Sequence, residues 1–247
     1  IKKLILDAVR KQNYQKGLEA TLKSMVPIAR GMGSSACVAV ALARALFSFF
    51  SLHFSEKELL AAANIEEVAT HINPSGLDAA TCASNTPIWM MSGKIKRIPI
   101  NLDGCLLICD TGIKGQTSEA IAAVKKRLGS DAKETNALFD KLQELTLAAK
   151  KQLAKNDLLG LGQTFDAAQS VLKTLGVSCN ELDEYISVAK DNGALGAKLT
   201  GGGRGGCFIC LTKNAAQANE LAQKLSLTGV RQTWIEPLAA KEEKNVL

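Results

Sequence analysis

Two carboxylates flank a turn-rich stretch of this chain. Glu67 lies late in a helical pattern, and Asp78 follows Asn73-Pro74-Ser75-Gly76-Leu77 near the start of the next helix. Acids placed either side of a polar turn can divide their work, one holding a metal ion while the other faces a substrate hydroxyl. The helix N-terminus beside Asp78 favours the ionised form that a base requires. Taken alone, plainer roles fit both better: Glu67, next to the equally acidic Glu66, as a solvated helix residue, and Asp78 as a helix cap.

Upstream, Pro27-Ile28-Ala29-Arg30-Gly31-Met32-Gly33-Ser34-Ser35-Ala36 reads as a strand end, a tight glycine turn and a helix start. Such a turn gathers backbone N–H groups at one point, and the helix N-terminus adds partial positive charge, so a phosphate is favoured there. Ser34 and Ser35 bring hydroxyls that can cap the helix, donate to phosphate or bind Mg2+. No Lys-Ser/Thr follows the glycines, which separates the segment from a Walker A loop. A plain strand-to-helix turn with serine caps is the alternative. Downstream, Lys198-Leu-Thr-Gly-Gly-Gly-Arg-Gly-Gly-Cys207 places five glycines in six positions. Ordering so much glycine is entropically costly, which makes sense where backbone must approach a ligand or another backbone closely. A flexible linker is the weaker reading, because the motif lies between two apolar strand patterns.

The elements that must hold these residues follow from periodicity. Leu4, Ile5, Ala8 and Val9 predict a helix from Ile1 to about Arg10, and alternation predicts a short strand at Leu18–Val26. From the glycine turn, an alanine-rich helix of little charge runs to about Phe50, the composition of a buried helix. Ser55 caps the next helix, with Glu58 completing a capping box, and that helix extends to about His71. Strands are predicted at Pro87–Met91, Lys94–Ile100 and Cys105–Asp110, and helices over about 117–128, 133–154, 157–175 and 181–192. A strand at Ala197–Thr200, the glycine loop, a strand at Cys207–Leu211, a helix at Ala215–Leu225 and a strand at Val230–Glu236 close the chain. Strands interleaved with helices, some of them antiparallel, make an α+β protein of two lobes, with the boundary near Asp103-Gly104.

Composition excludes several classes. Of 247 residues, 47% are apolar and 22% charged, enough for a core without staples. The net charge of +6 is scattered, and aromatic residues make up only 4%, so little is available to stack on bases and no nucleic-acid partner is expected. A mild positive potential suits a small anionic substrate. No apolar run reaches the length of a membrane span, no signal peptide is visible, and no membrane association is expected. The seven cysteines, several in apolar runs, read as buried free thiols of a reducing, cytoplasmic compartment. Cys207-Phe-Ile-Cys210 reads as core rather than as zinc ligands, and His53 and His71 form no cluster.

In this order, Gly31-Met-Gly-Ser-Ser-Ala36, Asn73-Pro-Ser-Gly-Leu-Asp78 and Lys198-Leu-Thr-Gly-Gly-Gly-Arg-Gly-Gly-Cys207 resemble three motifs of the GHMP small-molecule kinases, most of all the short bacterial mevalonate kinases. The resemblance runs from about Met25 to Glu236. It implies a two-lobed α+β fold, with an N-terminal lobe over 1–104 and a ferredoxin-like C-terminal lobe over 105–247, and a site between them. It makes Ser35 the Mg2+-binding serine and Asp78 the catalytic aspartate. Glu67, eleven residues before that aspartate, becomes the metal-binding glutamate in preference to Glu66. Ser24, Ala29, Arg30, Gly31, Met32, Gly33, Ser34 and Ser35 become ATP contacts. Thr117, in the Asp110-Thr-Gly-Ile-Lys-Gly-Gln-Thr117 segment, and Gly202 become contacts of the acceptor substrate.

The activity so implied is ATP-dependent phosphorylation of the C5 hydroxyl of mevalonate, giving 5-phosphomevalonate on the route to isoprenoids. Mg2+ is the implied cofactor, ATP the co-substrate and mevalonate the other partner; a homodimer is left open. The family's first motif, Pro-Gly-Lys leading to Gly-Glu-His, is expected upstream of residue 1, so the N-terminal lobe is expected to be incomplete. Ala29-Arg30-Gly31-Met32 stands where many relatives have Gly-Ala-Gly-Leu. Arg204 replaces a residue often small in the family, directed either to an anionic group or to solvent. Two other readings stay open: another GHMP kinase, for phosphomevalonate or homoserine, and a binding module that keeps the fold without catalysis.

Overall fold

The amphipathic stretch at the start of the chain forms α1 (Lys2–Lys11) and buries Leu4. Helix α2 (Ser34–Phe49) buries a stripe of small residues, Ala36, Ala39, Val40 and Ala43, that ends at Leu46. In this computed structural model the described residues are 1–70 and 75–238, without the side chains of Glu67, Ala69 and Thr70. They divide into one unit of residues 1–28 and 33–98 and a second of residues 29–32 and 99 onward.

In the first unit, α3 (Glu56–Thr70) opens with the capping box read from Ser55 and Glu58. The Ser55 N–H donates to the Glu58 carboxylate at 2.8 Å and the Glu58 N–H to Ser55 Oγ at 3.3 Å, so two end donors are satisfied reciprocally. Helix α4 (Leu77–Ala83) adds Ala79 to the core, and Leu4, Leu46, Leu59 and Ala63 join the α2 stripe there. Small side chains on α2 and α4 let the helices approach closely. Strands β1 (Ile88–Met91) and β2 (Lys94–Arg97) form an antiparallel hairpin. Its turn residues, Ser92 and Gly93, both have positive φ (49° and 73°), the geometry that matches strand twist in a two-residue hairpin.

Two strand expectations are corrected here. Leu18–Val26 forms no ladder; alternation describes a surface, but a strand also needs a partner, and none of the described strands pairs with this stretch. Met25, at 92% exposure, lies on no core face. The strand predicted to run to Ile100 stops at Arg97, opposite Ile88, and Pro99, which has no N–H, cannot extend it.

The second unit is built on a four-stranded antiparallel sheet of β3 (Cys105–Asp110), β4 (Gly196–Leu199), β5 (Cys207–Thr212) and β6 (Gln232–Pro237), in the order β4-β5-β3-β6. Helices α5 (Thr117–Ser130), α6 (Ala132–Lys155), α7 (Leu158–Thr174) and α8 (Asn180–Asp191) link β3 to β4, and α9 (Ala215–Leu227) links β5 to β6. The strand order and the two helical crossovers are those of a ferredoxin-like lobe with extra helices. Cys105, Leu107, Cys109, Phe208 and Cys210 face α8 and α9, while Leu106 and Leu211 pack with Leu153, Leu161 and Phe165 of α6 and α7. Burial on both faces explains why Cys105-Leu-Leu-Ile-Cys109 is continuously apolar rather than alternating. The open edge of β4 is covered by α7: the Ala197 and Leu199 N–H groups donate to Asp166 Oδ1 and Gln169 Oε1 at 3.0 and 2.9 Å, which removes a free pairing edge. Among the described residues no helix is long and apolar enough to cross a membrane.

Candidate active site

In the first unit the site begins at Gly33, which precedes α2 in the left-handed region (φ 62°, ψ 30°). That conformation turns the chain onto the helix axis without the steric cost a side chain would add. Gly33 offers α2 no side-chain cap, so among the described residues its first-turn N–H groups, next to half-buried Ser34 and Ser35, are not taken up by a side-chain oxygen. Asp78 is the second residue of α4 and is exposed. A Cβ on Gly33 would stand 3.7 Å from both Cβ and Cγ of Asp78. The Asp78 side chain therefore flanks the start of α2, 45 positions away in sequence. Ser24 is exposed and its Oγ accepts from the Val26 N–H at 3.2 Å, closing a local turn. Glu67 falls in α3, but its side chain, like all of His71, Asn73 and Pro74, lies outside the described residues.

In the second unit three loops are knotted together by backbone hydrogen bonds. They are Ala29–Met32, the segment after β3, and the glycine loop between β4 and β5. The Gly115 N–H donates to Ala29 O (3.1 Å), the Cys207 N–H to Arg30 O (2.9 Å), the Gly206 N–H to Ile113 O (2.8 Å) and the Gln116 N–H to Gly203 O (3.3 Å). Two glycine contacts show why side chains are excluded. A Cβ on Gly31 would meet Gly201 Cα and Thr200 O at 3.0 Å, so these two backbones touch. A Cβ on Gly202 would stand 2.9 Å from Cβ and Cγ2 of Thr117, the first residue of α5. The two residues assigned to the acceptor substrate are thus neighbours.

Side chains reinforce this knot. Arg30 extends from its loop to the sheet, with Nε 3.0 Å from Asp110 Oδ1 and Nη2 donating to Gly112 O at 2.8 Å. Its Nη1 is buried without a hydrogen-bond partner among the described residues. Arg204 is directed to an anionic group: Nη1 lies 3.4 Å from the Glu119 carboxylate, while Nε donates to Gly176 O at 3.1 Å. Lys198 is half-buried beside the glycine loop, where desolvation lowers its pKa to about 8 and Nζ donates to Leu199 O at 2.6 Å. Burial pushes the Cys207 thiol up to about 12, aided by the Asp110 charge and opposed by Arg30. A hydrogen bond with Cys210, followed by burial, raises Cys109 as well. Both residues of the Cys207/Cys210 pair are buried in the core.

Sequence reasoning missed the Arg30–Asp110 clasp and the wedge of residues 113–116 between the other two loops. The available signal was the Asp-Thr-Gly turn directly after an apolar strand, which gave no indication of its partner 80 residues upstream.

Relatives bear on what this arrangement serves. The chain is 30% identical to the mevalonate kinase of Pyrococcus horikoshii over 227 residues, 90% of this chain and 67% of that protein. It therefore spans about two thirds of that relative's length. Among solved structures it resembles L. major mevalonate kinase in complex with R-mevalonate, with a TM-score of 0.77, 29% identity, and 84% of this chain and 67% of that one covered. It also resembles mevalonate kinase from methicillin-resistant Staphylococcus aureus MRSA252, with a TM-score of 0.75, 30% identity, and coverage of 97% and 77%. Residues 1–86 match the GHMP kinases N terminal domain and residues 149–231 the GHMP kinases C terminal domain; the chain belongs to the GHMP kinase family.

Proposed function

We propose that this chain carries the catalytic machinery of an ATP-dependent kinase that phosphorylates the C5 hydroxyl of mevalonate in the cytoplasm. The observation that carries the reading is the placement of the Asp78 side chain against Gly33, at the uncapped start of α2. Phosphoryl transfer asks little covalent chemistry of a protein and much positioning and electrostatic stabilisation. An uncapped helix N-terminus offers N–H groups and partial positive charge to a triphosphate. An aspartate beside it can accept, or orient and polarise, the proton of an incoming hydroxyl.

The described residues contain no cluster of three or more His, Cys, Asp or Glu able to hold a metal by itself. Mg2+ is commonly held by one or two carboxylates, waters and substrate phosphates. Ser35 and Glu67 would hold it, both hard oxygen donors. When bound it would neutralise charge on the β- and γ-phosphates. The knot of loops around Gly31, Gly202 and Thr117 keeps the backbone bordering ATP and acceptor in one arrangement, which is what near-attack geometry requires.

The test is Asp78→Asn in the full-length protein. Turnover should fall by orders of magnitude, with nucleotide affinity changed little, because the carboxylate acts on the acceptor and not on ATP. Preserved turnover would remove Asp78 from the mechanism. A panel of mevalonate, phosphomevalonate and homoserine with ATP checks the acceptor, and failure with every alcohol would leave the fold without the reaction.

A further inference from the structure

Cys37 of α2 and Cys82 of α4 face each other with their Sγ atoms 3.1 Å apart, although 45 residues separate them in sequence. Neither is in a disulfide and both are half-buried, whereas Cys105, Cys109, Cys207 and Cys210 are buried. Their place in the fold gives the contact its interest. Cys82 lies one helical turn beyond Asp78 on α4, and Cys37 lies one turn beyond Gly33 on α2. A Cβ on Gly33 would stand 3.9 Å from Cys82 Sγ and 3.7 Å from Asp78 Cγ. The thiols therefore meet directly behind the point where Asp78 flanks the start of α2.

We propose that Cys37 and Cys82 form a reversible disulfide that governs turnover at this site; the coupling to turnover rests on the kinase reading above. The oxidant is a low-molecular-weight disulfide such as oxidised glutathione. One cysteine gives up its proton and attacks a glutathione sulfur; the glutathione S–S bond breaks and one glutathione leaves as thiol. The second cysteine, also deprotonated, attacks the mixed disulfide and releases the other glutathione as the Cys37–Cys82 bond closes. Two protein S–H bonds are lost, one S–S bond is gained, and the oxidant departs as two thiols. A protein disulfide of this kind is a transient, sensing type rather than a staple.

Closing the bond draws the sulfurs from 3.1 Å to about 2.0 Å. Close-packed helices transmit such a shift, and Asp78 sits on the same face of α4 as Cys82. A displacement of about 1 Å at a positioning group costs up to roughly a hundredfold in rate.

The experiment exposes the full-length protein to glutathione mixtures of rising oxidised fraction. It reads peptide-mapping mass spectrometry and ATP-dependent mevalonate turnover together. The expected result is a crosslink between the Cys37 and Cys82 peptides, a fall in turnover of roughly tenfold to a hundredfold, and recovery with dithiothreitol. Cys82→Ser should keep the reduced-state turnover and ignore the oxidant; Cys37→Ala provides the same comparison should the first variant fold poorly. Absence of the crosslink in excess oxidised glutathione overturns the proposal. So does a crosslink that leaves turnover unchanged, or equal inhibition of the Cys82→Ser variant. A protein inactive even when reduced would sink the kinase reading, while the peptide map would still decide the pairing.

Discussion

The Arg30 guanidinium and the Asp110 carboxylate form an ion pair between a glycine loop and the end of β3, Nε to Oδ1 at 3.0 Å, with side chains only 11% and 3% exposed. The pair is almost wholly desolvated, so its stability value lies mainly in what happens when one member is lost. Arg30→Ala leaves Asp110 charged and buried and should destabilise the protein by about 3–5 kcal/mol. Arg30→Lys keeps the charge but cannot reach both Asp110 and Gly112 O from one fork, and should lose less, about 1–2 kcal/mol. Arg30→Met combined with Asp110→Asn removes both charges and should recover part of the Arg30→Ala loss. Urea unfolding of the three variants checks this order, and an Arg30→Ala protein as stable as wild type would refute it.

Gly31 and Gly93 separate backbone strain from collision. Both have positive φ, 76° and 73°, but a Cβ on Gly31 would meet backbone at 3.0 Å and a Cβ on Gly93 would meet nothing within 4 Å. Gly93→Ala should cost only the left-handed conformation, about 1–2 kcal/mol. Gly31→Ala adds overpacking of about 1–3 kcal/mol, because Thr200 and Gly201 offer backbone rather than a pliable side chain. Equal losses in chemical denaturation would mean that the Gly31–Gly201 approach is not tight in solution.

The contrast between near and distant partners also marks what the sequence reveals here. The capping box at Ser55 and Glu58, the start of α2 at Ser34 and the helices of the second unit rest on residues within one or two turns of each other, and the pattern locates each within a few residues. The strand expected at Leu18–Val26 fails because pairing is a property of two segments, and alternation in one does not supply the other. Asp78, Gly33 and the glycine loop could be singled out by type and order. The neighbours that give them geometry could not, because Arg30 finds Asp110 and Cys37 finds Cys82 only through the tertiary fold.

Lys198 should leave a signature in the pH dependence of stability. Burial lowers its pKa in the folded chain from 10.5 to about 8. Between these values the unfolded chain holds a proton that the folded chain has released, so this group makes stability rise with pH across that window. Below about pH 8 both states are protonated and the full cost of burying the ammonium is present. The slope contributed is at most about 1.4 kcal/mol per pH unit. Cys207, whose folded pKa is raised from 9.0 to about 12, acts in the opposite sense over its own window, so the measurement must be a difference. Lys198→Met should be more stable relative to wild type at pH 8 than at pH 10, as read by urea denaturation at both values. A stability difference independent of pH would place the Lys198 amine in contact with water.

The last prediction concerns which of two adjacent acids holds the metal. Successive positions of an α-helix are separated by about 100° around its axis, so the two acids are tested one at a time. In the kinase reading proposed above, Glu67, eleven positions before Asp78, would hold Mg2+ together with Ser35. Glu67→Gln keeps the size of the side chain and removes the charge that a hard divalent cation requires. In the full-length protein it should raise the Mg2+ concentration for half-maximal turnover by roughly tenfold or more, whereas Glu66→Gln should leave it nearly unchanged. Measuring turnover against free Mg2+ at saturating ATP distinguishes the two. A shift in Glu66→Gln alone would reassign the metal to Glu66. No shift in either would mean that the phosphates and Ser35 hold the ion without a carboxylate from this helix.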